Sequence, residues 1–184
     1  MPTYIVLLRA VNVGGYGKLA MADFRKLLEK FGFKNVETYI QSGNAVFDAK
    51  GSAATVAKLI SAALEKHTGA PVGLLIRTHE QLGEIIDGNP FAAEAKADGA
   101  RVHAGFLFAQ PPKNATEGLD RIVAQYPDRR DRYHLSGSTL YLHLPDGAAD
   151  TKFAGKALER ALGGTLGTGR NWNTVVKLHA MSKR

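Results

Sequence analysis

Two successive segments of the chain show the same order of predicted elements: strand, helix, strand, strand, helix, strand. Runs rich in β-branched and apolar residues predict the strands, and apolar residues at helical spacing predict the helices. A Gly-rich loop follows the first strand, and a Ser-Gly turn joins the second and third strands of each segment. This order is that of a split βαβ unit. We therefore predict an α+β protein made of two tandem ferredoxin-like α/β plaits (βαββαβ) with an extra C-terminal helix.

A short stretch of small and charged residues, 92–100, is expected to link the two plaits. The first domain, 1–90, is expected to contain elements at 3–9, 21–31, 36–41, 45–48, 52–66, 72–77 and 78–87. The second domain, 91–184, is expected to contain elements at 101–109, 114–126, 132–135, 139–144, 152–162, 163–169 and 171–181. Ser52 and Thr78 are expected to cap their helices, and Phe31 to end the apolar stripe of the first helix.

The composition limits the classes of function that are open to the chain. It has 184 residues, no cysteine and a formal net charge of +7. Without cysteine it has no disulfide, no thiolate zinc site and no cysteine nucleophile. No apolar run is long enough to span a membrane, and the first residues lack the basic start of a signal peptide, so we expect a cytoplasmic protein. The basic balance indicates an anionic partner, either a small phosphorylated ligand or a nucleic acid.

Two loops are expected to meet at one end of the first sheet. In a plait the first and third strands are adjacent and antiparallel, so loop 12–18 and hairpin 41–44 lie at the same end. The first helix begins there too, with its unpaired N–H groups and the positive end of its dipole. These features predict an anion-binding pocket, completed by a C-terminal segment, 170–174, that combines an arginine, a tryptophan and two asparagines. The expected ligand-binding residues are Arg9, Asn12, Gly14, Gly15, Lys18, Gln41, Ser42, Gly43, Asn44, Arg170, Asn171, Trp172 and Asn173.

Each of these features also has a purely structural interpretation. The glycines can serve only to turn the loop, Asn171 or Asn173 can cap the last helix, and Trp172 can anchor that helix on the core. The known phosphate-loop motifs do not fit. Asn12 and Leu19 replace the first Gly and the Ser/Thr of a P-loop, and the G-x-G-x-x-A run lacks the βαβ context that a dinucleotide site requires. The sequence identifies no cofactor and leaves open whether the protein is an enzyme.

The histidines suggest a second hypothesis. The six histidines lack the H-x-x-H spacing of a zinc site, so no metal is expected. Strand alternation places Arg132, His134, Tyr141 and His143 on one face of the second hairpin, and His103 could join them. Such a face is either the polar outside of a half-buried sheet or a stacking platform for single-stranded RNA. An RNA- or DNA-binding protein with a basic plait surface is therefore the alternative to a protein that binds, or acts on, a small anionic ligand.

Three motifs of the chain resemble a known family. LLRAVNVGGYGKLAM at 7–21 is similar to LLRGINVGG-x-N-K-x-x-M, TYIQSGNAVF at 38–47 to TYIQSGNVVF, and GTGRNWNTVVKL at 167–178 to T-x-RNWNTVxKL. These motifs mark domain of unknown function (DUF) family 1697, a bacterial group of about this length. The resemblance implies tandem α/β plaits and no known activity. Ala10 and Gly17 stand where the family usually has Gly and Asn, and the second difference removes a polar side chain from the loop.

Overall fold

The structure, a computed structural model, describes residues 1–12 and 18–184. Within them the fold is α+β, with two four-stranded antiparallel sheets and seven helices. The elements of the first half are β1 (Thr3–Leu8), α1 (Met21–Lys30), β2 (Lys34–Tyr39), β3 (Asn44–Asp48), α2 (Ala53–Thr68), β4 (Leu74–Thr78) and α3 (His79–Asp87). Those of the second half are α4 (Ala92–Ala97), β5 (Val102–Leu107), α5 (Ala115–Gln125), β6 (Arg132–Ser136), β7 (Thr139–His143), α6 (Gly155–Ala161), β8 (Gly167–Asn171) and α7 (Trp172–Ser182).

The described chain divides into two compact units, the first formed by Met1–Glu84 with Val176–Arg184, the second by Ile85–Val175. The predicted domains, 1–90 and 91–184, differ from these units at residues 85–90 and at the C-terminal segment. Arg184 forms ion pairs with Glu37 (2.9 Å) and Asp48 (3.0 Å), both in the first unit. These contacts explain why the last turns of α7 belong with the first unit.

The first sheet has the strand order β2-β3-β1-β4, and β1 is antiparallel to both of its neighbours. The run from Ile5 to Leu8 is fully buried, as expected for a central strand with apolar residues on both faces. On one face, Tyr4, Val6 and Leu8 pack with apolar residues of α1 and α2 in one core cluster. The first and third strands are thus adjacent and antiparallel, as the sequence predicts.

Side-chain caps determine where two of the helices begin. The Thr55 amide donates to the Ser52 hydroxyl (3.2 Å), so Ser52 caps α2. At α3, the Gln81 amide donates to the Thr78 hydroxyl (3.3 Å), and the Thr78 amide donates to the Gln81 side chain (3.1 Å). This reciprocal pair is a capping box. Both predicted caps are confirmed.

Two predicted segments differ in the structure. The predicted linker 92–100 contains helix α4, because its alanines favour helix. The weak strand predicted at 163–169 lies further along the chain as β8, because the backbone there pairs with β5. Arg170 and Asn171 therefore end a strand, and the last helix begins at Trp172.

The second sheet has the strand order β6-β7-β5-β8. One of its faces packs leucines of β5 and β7 against apolar residues of α5. The register pairs Val102 with His143, and His103 with Leu142. Because directly paired residues share a face, His103 lies on the leucine face and away from His143. The prediction that His103 joins the polar cluster is therefore wrong.

Candidate functional site

The candidate site is the end of the first sheet where β1 ends and β3 begins. We call it the rim and define it by residues 9–12, 18–19 and 40–43. The Leu8 amide donates to the Gly43 carbonyl (2.8 Å), so the segments that follow β1 and precede β3 lie side by side. This is the adjacency that the antiparallel pairing of the first and third strands predicts.

Asn12 joins the segments of the rim. Its Nδ2 donates to the Leu19 carbonyl (2.8 Å) and to the Gln41 carbonyl (2.9 Å). Its Oδ1 accepts a hydrogen bond from the Leu19 amide (2.9 Å). Both amide protons and the side-chain oxygen are thus engaged by the protein itself. Asn12 therefore acts as a positioning residue that holds the segments of the rim together.

The rim also concentrates backbone conformations that L-amino acids rarely adopt. The φ angles of Ala10, Asn12 and Ile40 are 56°, 57° and 48°, and that of Gly43 is 78°. The left-handed region costs a non-glycine residue about 1–2 kcal/mol, and it is least favourable for a β-branched residue such as Ile40. Strain of this kind persists only where surrounding contacts enforce it, and it concentrates at binding and active sites.

Two predicted site residues of the hairpin are committed to packing and to internal hydrogen bonds. The backbone of Gly43 lies so close to Val11 that an added Cβ would be 2.6 Å from Val11 Cγ2. Asn44 is completely buried, and its Nδ2 donates to the Tyr39 carbonyl and to the Ser42 hydroxyl, both at 3.0 Å. These residues shape the hairpin from inside.

Polar groups that solvent can reach lie on the same rim. Lys18 and Gln41 are exposed, and Arg9 and Ser42 are partly exposed. Helix α1 begins three residues after Lys18, and the alanine before it has no side-chain acceptor for the N–H groups of the first turn. The positive end of the helix dipole therefore adds to the two cationic side chains, while Asp23 in that first turn offsets part of the charge.

The remaining predicted site residues lie elsewhere in the chain. Gly14 and Gly15 fall within 13–17, outside the described residues. The C-terminal group, which begins with Arg170, belongs to the second unit. That these residues complete one pocket with the rim stays a prediction.

Arg170 is a buried cation on β8, with 6% of its surface exposed. Its Nη1 donates to the Thr168 hydroxyl and to the Gly169 carbonyl, both at 2.7 Å. Burial lowers the pKa of Arg170 to about 10, because desolvation disfavours the charged form. The guanidinium is still protonated at neutral pH, so the second unit holds a buried positive charge.

The three residues after Arg170 contribute to the start of α7. The Thr174 amide donates to Asn171 Oδ1 (3.0 Å), so Asn171 caps the helix. Trp172 is buried, and its ring centroid lies 6.4 Å from that of Tyr141. Asn173 is exposed. The contacts of Asn171 and Trp172 favour the structural interpretation of this motif, a cap and an anchor.

The polar face of the second hairpin is covered in part within its own unit, since Tyr141 is buried while Arg132 and His134 are exposed. The Tyr141 hydroxyl donates to the Ile85 carbonyl (2.9 Å), and Tyr141 is 3% exposed. The guanidinium carbon of Arg132 lies 5.0 Å from the Phe91 ring centroid, and Arg132 Nη2 lies 3.0 Å from His143 Nδ1. Burial and the charge of Arg132 lower the pKa of His143. Because Tyr141 is buried, it cannot stack on a base; that the exposed residues of this face bind RNA stays a prediction.

A serine–histidine contact that sequence reasoning missed lies in the first unit. Ser182 Oγ is 2.9 Å from His79 Nδ1, and it donates its proton to the His179 carbonyl (2.8 Å). The rings of His79 and His179 stack with their centroids 4.0 Å apart. A nucleophilic serine must give its proton to the imidazole, and Ser182 is also buried. The contact therefore attaches the end of α7 and does not form a catalytic dyad.

Among residues 1–12 and 18–184, no three histidine, aspartate or glutamate side chains are grouped so that they could hold a metal ion. None of the helices described there is long and apolar enough to cross a membrane.

Comparison with known proteins gives the family and one structural neighbour. The sequence matches the family described as "Protein of unknown function (DUF1697)" over residues 1–141. The fold is similar to that of the conserved bacterial protein SP0830 from Streptococcus pneumoniae, with a TM-score of 0.69, 99% of each chain covered and 23% sequence identity. No curated protein matches the sequence. Since the family match covers well over half of the chain and includes the first two motifs, the protein belongs to the DUF1697 family.

Proposed function

We propose that the rim of the first unit binds a small anionic ligand, such as a phosphorylated metabolite. Arg9, Lys18 and the positive end of α1 supply the attraction, and Gln41 and Ser42 supply uncharged hydrogen-bonding groups. The residues that define the rim include no carboxylate and no histidine to serve as a general base. The proposal is therefore binding, without a reaction assigned.

The observation that carries the proposal is the attachment of the rim through Asn12. A connecting loop needs only to turn the chain, which it can do without strain or cross-links. Here one side chain holds segments that are distant in sequence, in a region with several left-handed residues. A loop that is already fixed loses less conformational entropy when a ligand binds. Backbone strain that fixes the loop can therefore favour binding.

We also infer that each sheet, with the helices that pack on it, is a ferredoxin-like plait. The strand orders β2-β3-β1-β4 and β6-β7-β5-β8 support this inference, because a plait places its first and third strands side by side at the centre. A cytoplasmic location is part of the same proposal.

A thermal-shift titration with inorganic phosphate, pyrophosphate and AMP tests the binding proposal. A ligand at ten times its Kd stabilises a folded protein by about 1.4 kcal/mol, which raises the Tm of a domain of this size by about 3–6 °C. We expect a shift of this order with at least one probe. Lys18→Gln and Arg9→Gln should each reduce it by about half, because each removes one of two cations.

Lys50→Gln is the matched control for this titration. It removes an exposed lysine beyond the opposite end of β3, so it makes the same change in net charge away from the rim. This variant should keep the full shift. If no probe stabilises the protein, or if all three variants respond as the wild type does, the rim does not bind anions.

A further inference from the structure

A groove between α1 and α2 of the first unit is not used by the proposed function. Its volume is about 480 Å³, within the range of about 300–1,000 Å³ that is typical of small-molecule sites. Leu27, Phe31 and Ala63 form its apolar lining. Phe31 directly follows α1 and is 36% exposed, although its helical spacing predicted a buried position. The groove thus leaves apolar surface that a ligand could remove from water.

Three lysines surround this apolar lining. Lys26 and Lys30 lie one turn apart on α1, and Lys66 lies in the last turn of α2. Two like charges at that spacing lower the stability of a helix, so this pair of lysines is unfavourable for α1 itself. The salt bridges formed by residues 1–12 and 18–184 do not include these lysines. Asp23 is the one carboxylate along the groove, so its potential is positive.

We propose that the groove binds a single-chain anionic amphiphile, a molecule with an alkyl chain and a carboxylate at one end. The alkyl chain covers Leu27, Phe31 and Ala63, and the lysine ammonium groups bind the carboxylate. The groove is the size of a small-molecule site. A docked protein would need about 1,000 Å² of buried interface, which is more than a groove of this size provides. The rings of Phe31 and His67 both line the groove, but its volume is small for a single-stranded nucleic acid, whose binding sites extend over about 4–16 nucleotides.

Isothermal titration with octanoate, acetate and 1-octanol tests this inference. We expect saturable binding of one octanoate per chain. Acetate and octanol should each bind about tenfold more weakly or worse, because acetate lacks the chain and octanol lacks the charge. The double variant Lys30→Gln/Lys66→Gln should weaken octanoate binding about tenfold, because it removes two of the three ammonium groups while the glutamines keep much of the side-chain length.

Two variants serve as controls. Lys58→Gln removes an exposed lysine on α2 that does not line the groove, and Lys18→Gln removes one at the rim. Both should bind octanoate as the wild type does. The double variant should in turn keep its response to phosphate at the rim, so the two proposals can fail separately.

Amide chemical-shift mapping during the octanoate titration gives a second measurement. The changes should concentrate around Leu27, Phe31 and Ala63 and should be absent from the rim. The inference is overturned if octanoate does not saturate, if octanol binds as tightly as octanoate, or if the double variant binds unchanged. Tighter binding of a single-stranded oligonucleotide that depends on the same lysines would also overturn it.

Discussion

Replacing Gly43 with alanine tests how closely the rim is packed. An added Cβ would lie 2.6 Å from Val11 Cγ2 and 2.7 Å from Leu8 Cβ, and both neighbours are buried, so neither side chain can move into solvent. Forcing such an overlap costs about 1–3 kcal/mol. The φ of 78° adds about 1–2 kcal/mol for a residue with a Cβ. We therefore expect Gly43→Ala to lower the free energy of unfolding by about 2–5 kcal/mol.

Gly32→Ala is the matched control for this prediction. Gly32 has nearly the same φ, 76°, but no atom lies within 4 Å of an added Cβ, so this variant carries only the conformational cost of about 1–2 kcal/mol. Urea denaturation followed by circular dichroism measures both variants. With an m-value of about 2 kcal/mol/M, a loss of about 3 kcal/mol lowers the midpoint by about 1.5 M. If the two variants differ by less than about 0.5 kcal/mol, Gly43 is not packed as these distances indicate.

Three further predictions concern individual side chains. Asn12→Gly removes three hydrogen bonds without adding backbone strain, so it should lower the free energy of unfolding by about 1–3 kcal/mol. It should also speed hydrogen exchange at the Leu19 amide, and an unchanged exchange rate would contradict the role of Asn12. Burial alone would raise the pKa of Asp48, but hydrogen bonds and a nearby arginine hold it below the ordinary 3.8. The ionised Asp48 carboxylate therefore stabilises the fold fully above pH 3.8, and this stabilisation is lost as the pH falls through the lower pKa of the folded state. The difference in free energy of unfolding between the wild type and Asp48→Asn should become smaller in acid. A difference that does not change with pH would refute this prediction. Tyr141→Phe removes the hydrogen bond to the Ile85 carbonyl and should cost about 1 kcal/mol in urea unfolding; no measurable loss would show that this bond contributes nothing.

The central strand β1 could be predicted from the sequence, whereas the bounds of the edge strand β8 could not be predicted accurately. β1 carries an unbroken apolar run, which is stable only where both faces are buried. β8 contains two glycines in five residues, which weaken its local preference, and it forms because its backbone pairs with β5. Pairing of this kind is a tertiary interaction. The same limit explains the error at His103, since its face depends on a register that residue types do not determine.

The position of the rim could also be predicted, but the roles of its residues could not. Polar residues in loops are equally suited to contacting a ligand and to bonding the backbone. In the structure, Asn12 and Asn44 both donate to main-chain carbonyls. The groove between α1 and α2 was missed because Phe31 continues the apolar spacing of a buried helix face. Lysines one turn apart beside that stripe, at Lys26 and Lys30, were the available signal.

An amide chemical-shift titration with pyrophosphate at low ionic strength shows whether the rim binds anions. We expect the largest changes at Lys18, Leu19, Gln41 and Ser42, saturating with added pyrophosphate and strongly reduced in Lys18→Gln. If the amides of the rim do not respond, or if the largest changes lie around the lysines of the α1–α2 groove, the rim is not the anion site.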